Sequence, residues 1–107
     1  MFWRQGRTAV VRFETGFQFQ LEYLADNKMT WTSLAEDGLG SETDRIYTKE
    51  LTDDLISVSW IESTGNSITH HINLAEGTVW AFMSWNDPEA FGQRQTLTHS
   101  GTFEFIK

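Results

Sequence analysis

Residues 57–72 read SVSWIESTGNSITHHI, and the way the two halves of this stretch pair decides what the chain becomes. Apolar residues alternate with polar ones on both sides of Ser63-Thr64-Gly65: Ile56, Val58 and Trp60 come before it, Ile68 and Ile72 after it. Alternation with period two marks a strand with one buried face. A three-residue loop sets Trp60 opposite Ile68, Val58 opposite His70 and Ile56 opposite Ile72, so every large apolar residue lands on one face. A four-residue loop would slip the register and turn Ile68 and Ile72 outward. The three-residue hairpin therefore follows. It places Glu62 and His70 on the inner face and gives Thr69 and His71 to the other.

The same alternation extends in both directions. Ala9, Val11 and Phe13 alternate with Val10, Arg12 and Glu14, and Phe17, Phe19, Leu21 and Tyr23 alternate with Gln18, Gln20 and Glu22. The turn Glu14-Thr15-Gly16 pairs Phe13 with Phe17 and has Gly where positive φ is needed. Asp26-Asn27 makes the next turn, and Met29 and Trp31 begin a third strand. Residues 36–44, EDGLGSETD, are polar and contain glycine; they read as a loop or irregular strand start bordering an opening. Ile46 to Leu51 form a fourth strand, Thr52-Asp53-Asp54 a turn, and Leu55 to Glu62 a fifth strand. Asn66 to Leu74, Thr78 to Trp85 and Gln95 to Ile106 complete the set, the last with a bend at Gly101. The single proline, Pro88, falls in the loop NDPEAFGQ, residues 86–93.

Eight consecutive antiparallel strands without a crossover helix fit a closed up-and-down barrel or a sandwich. The barrel is preferred because closure removes the exposed edges of so small a sheet. Its interior is about wide enough for side chains or one small ligand. The 107 residues make one domain, 1–107, since that length buries a single core. The five Trp, eight Phe and two Tyr supply that core efficiently.

Charge and composition remove several classes of function. A formal net charge of −7 works against binding to phosphate backbones, so nucleic acid is not expected as a partner. The absence of cysteine removes disulfides, thiolate metal sites and a thiol nucleophile, and it fits a reducing compartment. The opening MFWRQGRTAV lacks the apolar core of a signal peptide, and no later run approaches the roughly 20 residues of a spanning helix. A cytoplasmic protein with no membrane partner is expected.

Glu62 and His70 are the candidate chemical groups, roughly 13 Å apart along the paired strands and too far for a direct hydrogen bond. His70 faces the seventh strand at Phe82 or Met83, according to the length of the turn at Ala75-Glu76-Gly77. In that apolar setting the neutral imidazole is favoured. His71 points away from His70, so the pair does not chelate; His71 and His99 are read as surface or partner residues, with no metal and no cofactor expected. There is no phosphate loop, no GxSxG elbow and no HExxH.

FETGFQFQLEY (residues 13–23), SVSWIESTGNSITHHINLAEGTVWAF (residues 57–82) and SGTF (residues 100–103) together resemble the MoaF-like domain family, from about Arg7 to Phe105. More distantly the chain is similar to the bacterial phenolic acid decarboxylases. Both resemblances imply a lipocalin-like, calycin-type barrel, and the second implies a homodimer. The decarboxylases carry a Glu after the SW pair of this strand, and Glu62 matches it. Their paired substrate-holding tyrosines fall on Val11 and Phe13, and their loop Arg has no counterpart nearer than Arg45. One carboxylate without those donors does not orient a substrate carboxylate, so that decarboxylation is not expected.

Three functions stay open. The first is a small-molecule-binding barrel for an aromatic or heterocyclic metabolite, its pocket formed by Val11, Phe13, Phe19, Trp31, Val58, Trp60, Glu62, His70 and Ile72. Glu62 at its rim would favour a hydroxyl, amine or amide over a carboxylate. The second is a small lyase, hydratase or isomerase with Glu62 as catalytic acid or base. The third is a filled barrel acting as an interaction module. Trp80, Phe82 and Trp85 cannot all face inward on one strand, and an outward aromatic points to a homodimer.

Overall fold

The computed structural model describes residues 5–36 and 38–107. The sequence reading of the first four residues, and of Asp37 in the polar segment, lies outside these. Among the described residues eight strands close into one antiparallel barrel in chain order. They are β1 (Thr8–Phe13), β2 (Gln18–Leu24), β3 (Lys28–Ser33), β4 (Ser41–Glu50), β5 (Leu55–Ile61), β6 (Ser67–Asn73), β7 (Thr78–Asn86) and β8 (Arg94–Phe105). A short 3-10 turn, Phe91–Gln93, precedes β8. β8 pairs with both β7 and β1, so no edge is left unpaired.

The decisive hairpin has the register that its apolar pattern requires. Trp60 stands opposite Ile68, Val58 opposite His70 and Ile56 opposite Ile72. The backbone N–H of Glu62 donates to the Asn66 carbonyl at 2.8 Å, and that of Gly65 closes the turn onto Glu62 at 2.8 Å. The first hairpin also closes as expected: Phe13 N–H donates to Phe17 O at 2.9 Å, and Gly16 has φ +98°. Burying the inner faces of these strands stabilises the barrel by about 1.5–3 kcal/mol for each large apolar side chain.

Two differences from the sequence expectation bear on the site. β4 begins at Ser41, five residues before Ile46, because Ser41 to Arg45 pair with Thr32 to Lys28 of β3. Backbone pairing, indifferent to side-chain polarity, makes a regular strand of a segment that reads as a loop or irregular strand start. The β6–β7 connection has four residues, 74–77, with Asn73 opposite Thr78. His70 therefore faces Ala81, not Phe82 or Met83. The added residue is Leu74, which packs against the core and donates its N–H to Asp54 O at 2.8 Å.

Glycine at 101 answers to a close approach. Gly101 lies opposite Phe13 on one side and Val79 on the other, and a Cβ there would fall on the Arg12 carbonyl. Only a residue without a side chain lets β1 lie this close to β8.

Candidate functional site

In an up-and-down barrel all the loops leading from odd to even strands gather at one end. Here that end carries Phe17 after β1, Leu39 before β4, and Glu62 to Asn66 after β5. A cavity of about 90 Å³ opens among them and runs down to His70, Ala81 and His99. Phe19, Trp31 and Trp60 form much of its wall, with the Phe19 ring edge-on to Trp31 at 6.0 Å. Below, Ile56, Ile72 and Val79 form a buried layer.

The structure brings together six of the nine expected pocket residues: Phe13, Phe19, Trp31, Trp60, Glu62 and His70 all line the cavity. Val11, Val58 and Ile72 do not. They are at most 1% exposed and belong to the filled half of the barrel, where inward chains meet across the axis. Glu62 and His70 make no direct hydrogen bond. Trp60 stands between them, its indole N–H donating to Glu62 Oε2 at 3.1 Å and its ring edge-on to His70 at 4.8 Å.

Glu62 has acidic company. Ile46 stands opposite Trp60, so Asp44, two residues earlier on β4, comes to the level of Glu62. The Trp31 indole N–H donates to Asp44 Oδ2 at 3.0 Å. Glu42 accepts from Ser63 N–H at 2.8 Å and from Ser63 Oγ at 2.5 Å, tying β4 to the β5–β6 turn. On the far side Arg94 donates to Gly65 O at 3.3 Å and to Ser84 Oγ at 3.0 Å. The turn that carries Glu62 is thus held from both flanks.

This environment moves the carboxyl groups apart. Burial, a hydrogen bond with Glu42 and the charges of Glu42 and Glu62 push Asp44 up to about 6, against the opposing Trp31 bond. Burial raises Glu62 as well, helped by the charge of Glu42 and opposed by the bonds from Trp60 and Asn66. Hydrogen bonds from Ser63 and Asp44 hold Glu42 below the usual carboxylate range. Two carboxyl groups at the mouth therefore hold protons more readily than free ones do.

The cavity floor holds a second departure from the sequence reading. His99, read as a surface or partner residue, is 6% exposed and lines the cavity. Its ring stacks on Phe13 with centroids 3.9 Å apart, and its Nδ1 lies 2.6 Å from Thr15 Oγ1. The alternation of Leu97, His99, Phe103 and Phe105 in β8 carried this signal. Burial lowers the proton affinity of His99 and pushes His70 down to about 3, with the charges of His99 and His71 adding to the latter.

Arg45 is exposed on β4 with its guanidinium over the Tyr47 ring at 5.4 Å, and among the described residues no arginine or lysine lines the cavity. Trp80 is 39% exposed beside the ring of His71, centroids 5.1 Å apart, so one large aromatic of β7 does face outward. Among the described residues no helix is long and apolar enough to cross a membrane.

The fold and site define a closed eight-stranded barrel with an aromatic cavity at one end and the Glu62 carboxyl in its lining. The MoaF-like family model matches residues 5–98, and the chain belongs to that family. A search of the curated proteins returned no match. Among solved structures, a protein from Burkholderia vietnamiensis described as a candidate beta-lactamase superposes with a TM-score of 0.79. It is 18% identical, over 95% of this chain and 94% of that one, and at such identity the likeness is one of fold.

Proposed function

We propose that the barrel binds a small aromatic or heterocyclic metabolite in the mouth cavity, with Glu62 as its polar anchor. The observation that carries this reading is the cavity itself: aromatic walls lead to a half-buried carboxyl held in place by Trp60. A raised Glu62 offers a hydrogen-bond donor or acceptor to a hydroxyl, amine or amide. The lack of cysteine fits work in a reducing compartment such as the cytoplasm. Quenching of Trp fluorescence during titration with a panel of single- and double-ring heteroaromatics tests the proposal. A saturable response, reduced by about tenfold in affinity in Glu62→Gln, is expected. No saturable ligand in the panel, or equal binding by a variant with the cavity blocked by Ile68→Trp, overturns it.

A second reading, a small lyase or isomerase, gains from the pairing of Glu62 with Asp44. Two carboxyl groups of raised proton affinity at one mouth suit proton transfer. In this case Glu62→Gln abolishes turnover while the same ligand still binds. Turnover retained by Glu62→Gln overturns that reading.

A further inference from the structure

Of the residues that line the cavity, Phe17, Phe19, Glu62, Asn66 and Met83 are only half-buried, whereas His70 and His99 are sealed among their neighbours. Glu62 and Asn66 are therefore the polar groups within a ligand's reach. They face each other across the β5–β6 turn, where the Glu62 N–H donates to the Asn66 carbonyl at 2.8 Å.

Glu62 has donors and no counter-charge. Its carboxyl accepts from the Trp60 indole N–H at 3.1 Å and from the Asn66 side chain, and both donors are uncharged. The charges that act around it are those of Glu42 and Asp44, and among the described residues no lysine or arginine lines the cavity. A half-buried carboxylate in such a setting carries an electrostatic cost that a cation relieves and a neutral group does not.

We propose that the cavity selects a cation: a protonated primary amine on a short arm from a small flat ring, with the ring against Phe17 and Phe19 and the ammonium on Glu62. The inference rests on the ligand-binding reading above and names its ligand class. The hydrogen-bond inventory matches, because an ammonium has three donors and no acceptor. Glu62 accepts from it, and Asn66, its nitrogen given to Glu62, has its amide oxygen left as a second acceptor. Sign excludes the opposite class: an anion would meet these carboxyl groups on a chain of net charge −7. Size restricts the ring. A cavity of roughly 150 Å³ takes benzene, whereas this one measures about 90 Å³, which suits a ring of five members with its arm at the mouth.

The test titrates the intact chain calorimetrically at pH 7 with three probes that share a furan ring: furfurylamine, furfuryl alcohol and 2-furoate. Furfurylamine should bind saturably and about tenfold tighter than the alcohol, with furoate the weakest. Glu62→Gln, close in shape and without the charge, should bring the amine to within about twofold of the alcohol. Asn66→Lys, which sets a cation in the lining, should reverse the order so that furoate binds tighter than the amine, and it carries the test if Glu62→Gln does not fold. An amine no tighter than the alcohol, or an amine preference that survives either variant, overturns the ammonium class and leaves a ligand-binding barrel standing. Failure of all three furans while larger heteroaromatics quench Trp fluorescence also overturns this class alone, and failure of every ligand overturns both readings.

Discussion

Burial moves His70 and Asp44 in opposite directions, and each shift is also a statement about stability. His70 has its affinity for protons lowered to about 3 in the folded chain, so between that value and its unfolded value near 6.5 the unfolded state binds the extra proton. Its neutral burial therefore costs nothing above that window and destabilises the fold as pH falls through it. At roughly pH 5 the loss is about 2 kcal/mol. Asp44, raised to about 6, does the reverse: the folded state binds the extra proton between its unfolded value and that point, so stability is lost as pH rises. Denaturant melts of the wild type and His70→Phe at pH 5 and pH 8 separate the two. The difference between the proteins should shift by about 2 kcal/mol in favour of the variant at the lower pH; an unchanged difference would mean His70 titrates normally. Asp44→Asn should stabilise the protein near pH 8, by about 1 kcal/mol after allowance for solvent screening, and lose that advantage near pH 4. An equal effect at both values would contradict the raised proton affinity. Glu62 and His70 were legible as inward groups because the hairpin register fixes them. Asp44 and His99 were not legible as inward, the first because its polar segment reads as a loop or irregular strand start and the second because the β8 alternation that carries it is interrupted by Gly101.

At the level of the element, the first half of β4 and the glycine of β8 carry the main lessons. Ser41 to Asp44 contain no large apolar residue, and their inward positions, Glu42 and Asp44, are acidic. Period-two hydrophobicity sees nothing there. What makes the strand is the ladder to β3 and the partners waiting for the two carboxylates, the Trp31 indole and Ser63. Glu42→Gln should loosen the β5–β6 turn, seen as faster amide exchange at Ser63 and Gly65 with little change in overall stability. Exchange as slow as in the wild type would show that Glu42 does not brace the turn. In β8 the backbone sets a harder limit. Gly101→Ala forces backbone apart between β1 and β8, with an expected cost of about 2 kcal/mol or more. A thermal melt should fall by roughly 10 °C; a loss under about 2 °C would show that the strands yield freely at that point.

Across the whole molecule the inner layers of the barrel differ, one buried among aliphatic side chains and one opening into the aromatic cavity. Val11, Val58 and Ile72 close the lower half, and the mouth gathers the loops that hold Glu62, Asn66 and Leu39. Outside, Trp80 presents apolar area on β7, and a homodimer through that face is the expected assembly. Light scattering at high concentration should give twice the 12.3 kDa chain mass, and Trp80→Lys should return it to one; a wild-type monomer would remove the dimer. The sequence alone determined the strand count, the up-and-down barrel and the inner faces, because side-chain alternation and turn chemistry are local and a one-residue slip would expose the core. Tertiary structure decided the rest. Barrel closure sets β8 beside β1, the β6–β7 and β7–β8 registers bring His99 to His70 across Ala81, and the β4–β5 register raises Asp44 to the level of Glu62. Those juxtapositions depend on registers between whole strands and on a four-residue loop whose length no local pattern encodes.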